Sequence, residues 1–360
     1  MKPLLNPQTK PQNPVFWRQT LLLGSLSITL LLVFFIDLTL GSIAIPVDKI
    51  VQIIVTGESG NFAWNNIISQ IRVPQAITAV LAGSALSLGG LHMQTLFRNP
   101  LAGPSILGIT AGASLGVAVV MLASGSIISI FSLLNTGFVG SWFIVIAAIL
   151  GSALVLTLVL IISLRIRDNI IVLIVGIMIG NLTIALVSIW QYFSEPEQIQ
   201  EYLMWTFGSL GGVTQKHLMV LSICVGIGLL GSFMLTKTLN TLLLGENYAQ
   251  SLGLTVKRAR ILIILVTSIL AGSITAFCGP IGFVGIAVPH LTRSLFNSSD
   301  HRLLVPASAI LGSILMLVCD IIAKVPGSSA TLPINAVTAL IGAPVVILVI
   351  IQRKNLRASF

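Results

Sequence analysis

The sequence predicts an all-α, polytopic membrane protein of about ten transmembrane helices, with both termini on the cytoplasmic side (N-in and C-in). Three observations predict this fold. Hydrophobic residues make up 55% of the 360 residues and charged residues only 8%, whereas a soluble domain carries about 25% charged residues. Apolar runs close to the ~20 residues that cross a bilayer recur along the chain. When these runs alternate across a membrane, most basic residues fall on one side.

Ten apolar runs are predicted to span the membrane, at about 18–40, 64–91, 101–124, 139–164, 169–193, 214–236, 257–277, 282–297, 302–323 and 333–352. They place a cytoplasmic tail at 1–17, a transmembrane domain at 18–352 and a second cytoplasmic tail at 353–360. The first run has a signal peptide as its alternative. Its length favours an uncleaved span, because a signal peptide's apolar region runs about 7–15 residues. The eighth run is short and Gly-rich, which makes it the weakest prediction.

The basic residues set the orientation. With the N-terminus inside, only four of the 19 basic residues lie outside or at the outer edge, namely Lys49, Arg72, Lys216 and Lys324. An odd number of spans would scramble this separation, so the charges support an even count. The basic residues are scattered between apolar runs rather than clustered with aromatic residues. Nucleic-acid binding is therefore disfavoured, although the formal net charge is +9.

The sequence lacks the motifs of an enzyme. It contains no H-E-x-x-H or G-x-S-x-G motif and no paired carboxylates inside a predicted span. The stretch Gly231–Thr238 approaches a phosphate-binding loop, but Thr236 stands where the second glycine should be. We therefore predict a non-catalytic chain that binds no cofactor.

No metal site is predicted either. Each of the three cysteines lies in an apolar run, which favours a small buried hydrophobic residue over a metal ligand. The four histidines are dispersed, so a structural role is favoured for each. These residues are Cys224, Cys278, Cys319, His92, His217, His290 and His301.

Ionisable residues within the predicted spans are few. Asp37 lies towards the outer end of the first span, and Asp320 and Lys324 lie four residues apart near the outer end of the ninth. The last two could form a helix-end ion pair or a charged outer mouth. So little charge suits a large ligand that passes a neutral wall, and disfavours proton or sodium coupling.

Glycine spacing and interrupted backbone predict where helices approach closely or break. Gly108, Gly112 and Gly116 recur every four residues, which allows close helix packing in lipid. Prolines and glycines interrupt the segments 99–104 and 279–289. Such backbone is tolerated at membrane depth only where protein or a water-filled cavity covers it. These two segments therefore either line a pathway or form packing kinks, or do both.

The predicted cytoplasmic loop 242–254 is the most distinctive segment outside the spans. It predicts a short amphipathic helix that ends at Gly253 as its C-cap, followed by a basic cluster at Lys257, Arg258 and Arg260. Such a helix could dock into a partner's groove or lie at the membrane interface.

Several segments together closely resemble one family. These segments are Gly83–Gly90, Gln94–Gly108, Leu244–Gly253, Gly279–Arg293 and Leu332–Pro344. They resemble the FecCD-type permeases, the membrane subunits of type II ABC importers for iron–siderophore complexes and cobalamin. The motifs keep their order and spread from about residue 64 to 350.

The resemblance implies an assembly and roles for particular residues. Two permeases, identical or closely related, would join two cytoplasmic ATPases that bind ATP and Mg, with an extracytoplasmic binding protein, in a bacterial plasma (inner) membrane. The coupling segment at 238–256 would contact the ATPase through Leu244, Gly245, Glu246, Ala249, Leu252 and Gly253. Arg72 and Lys324 would meet the binding protein, although Gln75 replaces a second basic residue common in the family. The pathway residues would be Gln94, Asn99, Pro100, Gly103, Pro104, Gly279, Pro280, Gly282, Gly285 and Pro289.

The leading hypothesis from the sequence is a permease for ferric siderophores. Haem or cobalamin is the alternative cargo within the same class, because the binding protein selects the ligand. A secondary transporter driven by an ion gradient is the alternative from another class, and it would need midplane charges. An intramembrane enzyme would need a catalytic constellation, which the sequence lacks.

Overall fold

The structure, a computed structural model, describes residues 14–122, 138–163, 169–328 and 330–351. These residues form helices and connecting turns without a strand, which confirms the all-α prediction. The predicted tails at 1–17 and 353–360 lie mostly or wholly outside the described residues. The helices are α1 Pro14–Thr39, α2 Val47–Thr56, α3 Phe62–Asn66, a π-helical stretch Ile67–Arg72, α4 Val73–Leu96, α5 Ile109–Leu122, α6 Phe138–Ser163, α7 Asn169–Tyr192, α8 Pro196–Thr206, α9 Gln215–Met234, α10 Thr236–Leu243, α11 Glu246–Ser251, α12 Val256–Cys278, α13 Val284–Phe296, α14 His301–Ala323 and α15 Ile334–Ile351.

Each of the ten predicted spans contains a helix. Seven helices among the described residues are long and apolar enough to cross a membrane, and the third and tenth predicted spans hold the shorter apolar stretches Ile109–Leu122 and Ile334–Leu348. The predicted start of the third span at residue 101 is wrong, because residues 101–108 form turns. Pro100 and Pro104 lack the backbone N–H that a helix needs, so the helix begins only at Ile109.

The amphipathic helix α2 was not among the predicted elements. Ile50 and Ile53 face the protein and are buried, whereas Val51 and Val55 form a second apolar face that is exposed. Gln52 lies on the remaining, polar face. A helix with these three faces is typical of a membrane interface, where it contacts protein, lipid and water at once.

Helix α4 forms the centre of the molecule. Every residue from 82 to 97 is buried, and α4 packs against α14, α12, α13 and α9. At two crossings the backbones touch: a Cβ added to Gly83 would overlap the Gly312 carbonyl of α14, and one added to Gly90 would overlap the Gly285 carbonyl of α13. A displacement of α4 therefore reaches both neighbouring helices directly.

A second group of helices, α5, α6 and α7, packs beside this centre. Gly112 and Gly116 of α5 lie against the backbone of Gly151 and Ala147 of α6. The close packing that the glycine spacing predicts is thereby confirmed. All three cysteines are free and buried, as predicted.

Candidate translocation pathway and coupling surface

Two ends of the helical bundle carry the predicted functional residues. We call the end that carries residues 244–253, the last turn of α4 and the first turn of α14 the coupling end. We call the end that carries Arg72 and Lys324 the opposite end. The predicted ATPase-coupling residues and the predicted docking residues therefore lie at different ends of the bundle, as the sequence predicts. Which end faces the cytoplasm stays a prediction.

The coupling segment folds as the sequence predicts. Helix α11 follows Gly245, whose φ of 102° favours glycine. The helix closes with two bonds, from the Gly253 N–H to the Gln250 carbonyl at 2.9 Å and from the Leu254 N–H to the Ala249 carbonyl at 3.0 Å. This pair of bonds, with Gly253 at φ 84°, is a Schellman motif. The predicted C-cap at Gly253 is therefore confirmed.

The coupling segment presents an apolar stripe to the outside. Leu244, Tyr248 and Leu252 are 59%, 57% and 60% exposed. Tyr248 lies on α11, and the two leucines flank the helix on either side. Ala249 faces inward and is fully buried. The stripe is therefore available for a partner, while Ala249 secures the segment to the bundle.

Two cations hold this segment to the bundle. The Glu246 carboxylate forms an ion pair with Arg260 of α12, and the Arg98 guanidinium, just after α4, donates to the Leu243 carbonyl at 3.1 Å. The Glu246 side chain is 41% exposed in the pair, so water screens much of the attraction. Glu246 is thus both partly accessible and positioned by Arg260.

The two interrupted segments predicted to lie beside a pathway meet in the structure. The Pro104 ring lies against Gly285, and Gly103 leaves room for Ile286. The Gln94 amide donates to the Ile286 carbonyl at 3.2 Å, and its oxygen accepts from Arg293. The residues at this contact form tight packing rather than open space.

The remaining predicted pathway residues differ in their exposure. The Asn99 side chain accepts from the Leu101 N–H at 3.0 Å and is buried. Pro100 is half-buried in the turn after α4, and Pro289 is buried within α13. These three residues shape the backbone, and a direct contact with cargo stays a prediction.

The turn between α12 and α13 depends on glycine. Gly279 has φ 74° and ψ −179°, a conformation that is essentially restricted to glycine. A Cβ there would also overlap the Trp205 carbonyl. The Gly282 N–H donates to the Asn335 side chain at 3.2 Å. These contacts fix the turn next to α8 and α15.

This turn borders a cavity of about 430 Å³. Two predicted pathway residues, Pro280 and Gly282, line it, and its other lining residues were not predicted. None of the lining residues carries a charge, which agrees with the neutral wall that the sequence predicts. They are Ser105, Thr110, Ala111, Ser114, Ile184, Val187, Ser188, Gln191, Tyr202, Leu203, Thr206, Pro280, Ile281, Gly282 and Asn335.

Tyr202 stays neutral in this cavity. It lies on α8, outside the predicted spans, and burial raises its pKa to about 12. Its hydroxyl lies 3.4 Å from the Ser114 carbonyl, to which it donates. Neither Tyr202 nor Asn335 was predicted to line a pathway, because they lie on elements distant in the chain that only the fold brings together.

Arg72, a predicted docking residue, is buried at the opposite end. Its guanidinium donates to the carbonyls of Leu38 at 2.9 Å, of Thr39 at 3.2 Å and of Ile43. These carbonyls lie at and beyond the C-terminus of α1, where helical carbonyls lack partners. Arg72 therefore caps α1.

Lys324, the other predicted docking residue, is buried between two carboxylates. Its ammonium lies 2.8 Å from Asp37 of α1 and 2.9 Å from Asp320 of α14, and Gln75 donates to Asp320 at 2.8 Å. The predicted ion pair of Asp320 and Lys324 is confirmed. Docking by Arg72 and Lys324 stays a prediction, and neither presents an exposed cation.

The buried helical centre, the neutral cavity and the exposed coupling stripe define a polytopic membrane permease. A model of the FecCD transport family matches residues 29–352. The hemin transport system permease protein HmuU of Yersinia pestis is 32% identical over 91% of this chain and 96% of its own length. The vitamin B12 import system permease protein BtuC of Citrobacter koseri is 34% identical over 92% and 94%.

A solved structure shares the fold. It is described as an inward-facing conformation of a metal-chelate type ABC transporter, and it matches with a TM-score of 0.75 and 27% identity over 93% of this chain and 99% of that chain. The chain belongs to the FecCD transport family. It is a permease subunit of a type II ABC importer.

Proposed function

We propose that this chain forms the pathway by which a ferric siderophore crosses a bacterial plasma membrane, driven by a partner ATPase. The observation that carries this proposal is the cavity of about 430 Å³ without a charged lining residue. Pockets of about 300–1,000 Å³ accommodate drug-sized ligands. A bulky chelate can form and break weak contacts with such an uncharged wall, so it can pass through the cavity without being held tightly.

The chemistry of the cavity suits a polar but bulky cargo. Ser105, Thr110, Ser114 and Thr206 supply hydroxyls, and Asn335 supplies an amide. These groups can donate to the oxygen atoms of a siderophore and can also accept, whichever face the ligand presents. Release stays easy, because each neutral contact is modest in net energy.

Haem and cobalamin are the alternative cargoes, and they are equally supported. The relatives at 32% and 34% identity are named for hemin and for vitamin B12. All three ligands are large metal chelates, and the cavity chemistry does not separate them. The choice among them therefore depends on uptake measurements.

The energy source proposed is ATP bound with Mg on a partner subunit. Leu244, Tyr248 and Leu252 are exposed on or directly beside the short helix α11, and apolar side chains presented in this way can dock into an apolar groove. Two permease copies, or one copy and a close relative, would meet two such ATPases. A binding protein outside the membrane would deliver the cargo.

An ion-coupled secondary transporter is less well supported. Such a transporter needs titratable groups along its path. The cavity has none of Asp, Glu, Lys or Arg, and the buried charges Asp37, Asp320 and Lys324 pair with one another at the opposite end. ATP depletion distinguishes the two classes, because it directly stops uptake by an ABC importer but not uptake by a secondary transporter.

The test is uptake by iron-starved cells with and without this chain. Radiolabelled ferric siderophore, haemin and cyanocobalamin are supplied in turn. Selective loss of siderophore uptake in the deleted cells supports the proposal. Selective loss of haemin or cobalamin uptake moves the cargo to that ligand, and unchanged uptake of all three contradicts the proposed cargo classes.

A further inference from the structure

A line of polar side chains, half-buried at Asn240 and fully buried at His301 and Thr95, ties the coupling segment to the centre of the bundle. It begins at Asn240 on α10, four residues before Leu244. The Asn240 Oδ1 accepts from the His301 backbone N–H at 2.8 Å and lies 2.8 Å from the His301 Nδ1. The Asn240 Nδ2 donates to the Asp300 carboxylate at 2.6 Å. Helix α10 is thereby joined to the start of α14.

The orientation of the Asn240 amide follows from its neighbours. Burial alone would raise the pKa of Asp300, but hydrogen bonds from the Arg302 backbone and from Asn240 bring it below its ordinary value. An ionised carboxylate only accepts, so the amide NH₂ must face Asp300. The amide oxygen then faces His301, and the His301 Nδ1 must carry a proton to donate to it.

The line continues from His301 into α4. The His301 Nε2 lies 2.8 Å from the Thr95 Oγ1, and both residues are fully buried. The Thr95 Oγ1 also lies 2.8 Å from the Leu91 carbonyl. With the proton on Nδ1, the Nε2 of a neutral His301 only accepts, so the Thr95 hydroxyl donates to it. Donation to the Leu91 carbonyl instead would leave two lone pairs facing each other at 2.8 Å. The hydrogen bonds therefore run in one direction, from Thr95 through His301 to Asn240.

Thr95 lies in the last turn of α4, next to residues that contact α13. It follows Gln94, which bonds Ile286 and Arg293 of α13. It also lies just before the non-helical segment 97–108 between α4 and α5, which contains the interrupted residues 99–104. A buried polar line is costly unless its members are satisfied, and apolar side chains could join the same helices. Here His301 joins both neighbours, so its hydrogen bonds hold Asn240 of α10 in a defined position relative to Thr95 of α4.

We propose that Asn240, His301 and Thr95 act as positioning residues that pass a displacement of the coupling segment to α4 and to segment 97–108. This inference rests on the proposed function, since it assumes that a partner ATPase moves the coupling segment. Arg98 offers a second connection from α4 to the same segment. Its side chain is exposed, so water competes for that bond.

The test uses the assembled importer in proteoliposomes with the chelate that it transports. The variants are Asn240→Leu, Thr95→Val and both together, with Thr95→Ser to restore the hydroxyl. Thr78→Val is the matched control. Thr78 lies on the same helix, is fully buried and bonds the Pro74 carbonyl four residues earlier at 2.7 Å. ATP hydrolysis and chelate transported per ATP are measured.

We expect each relay variant to keep its hydrolysis rate within about twofold while the chelate transported per ATP falls about three- to tenfold. The double variant should be no worse than Asn240→Leu, because both changes interrupt one line, and Thr95→Ser should recover. Three results would overturn the relay. The first is a Thr95→Val protein that transports as much chelate per ATP as Thr78→Val, and the second is a parallel loss of hydrolysis and transport. The third is a double variant whose loss of chelate transported per ATP is the product of the two single losses. Failure of the unaltered chain to assemble with an ATPase would instead refute the proposed function.

Discussion

Lys324 offers the sharpest test of the charge cluster at the opposite end. The change Lys324→Met keeps the length of the side chain but removes the only ammonium that contacts both Asp37 and Asp320 among the described residues. Both carboxylates are almost fully buried. Breaking a buried ion pair by removing one partner costs about 3–5 kcal/mol, because the remaining charge is left without compensation.

The cost should appear as a lower unfolding temperature of the purified chain in lipid nanodiscs. At about 2 °C per kcal/mol for a chain of this size, the midpoint should fall by about 6–10 °C. The matched variant combines Lys324→Met with Asp37→Asn and Asp320→Asn. Since neutral replacement of a whole buried ionic group is often close to neutral in stability, most of the loss should return.

An unchanged midpoint for Lys324→Met would refute this reasoning. So would a triple variant that is as unstable as the single one. The triple variant then separates stability from docking. If Lys324 contacts the binding protein, the stable triple variant still loses binding-protein affinity; if Lys324 serves only the cluster, affinity is kept.

Two further predictions concern the coupling end and the central helix. The Glu246→Arg chain should no longer associate with the ATPase, because its new guanidinium would face Arg260 and would change the surface that docks. The double variant Glu246→Arg with Arg260→Glu should recover the segment's resistance to proteolysis. It should still not associate with the ATPase. Gly90→Ala should lower the yield of folded chain in the membrane by at least tenfold, because the added Cβ overlaps Gly285 and overpacking costs about 1–3 kcal/mol or more. The control Gly226→Ala should leave the yield unchanged, because nothing lies within 4 Å of its added Cβ.

Features that depend on neighbouring residues could be predicted from the sequence. The apolar runs located a helix in every predicted span, and the spacing of Gly112 and Gly116 predicted the contact with α6. The C-cap at Gly253 follows from local backbone geometry alone. Local patterns of this kind carry their physics within a few residues.

Features that join distant segments could not be predicted. Asp37 and Lys324 lie 287 residues apart in the chain, and Asn240 lies 61 residues from His301. No periodicity links such pairs, so the sequence did not predict that Asp37 joins Asp320 and Lys324 or that Asn240 meets His301. The cavity has the same origin, because Tyr202 of α8 and Asn335 of α15 line it together only in the folded chain.

The start of α5 shows a different limit. Hydropathy treats residues 101–108 as part of an apolar run, but the backbone there cannot continue a helix through Pro104. The prolines and glycine of segment 99–104 predict an interrupted backbone there, and the structure agrees with this prediction rather than with hydropathy. Hydrogen-bonding capacity therefore outweighs apolar character at a membrane edge.

We propose that an ATPase docked on the coupling segment drives this permease. The most direct measurement isolates the chain from its native membrane in mild detergent, identifies the proteins that accompany it and assays ATP hydrolysis. We predict that an ATPase co-purifies with the unaltered chain and is absent from the Glu246→Arg preparation. Isolation of the chain without an ATPase, together with uptake that an ionophore abolishes while ATP is maintained, would show that an ion gradient drives it instead.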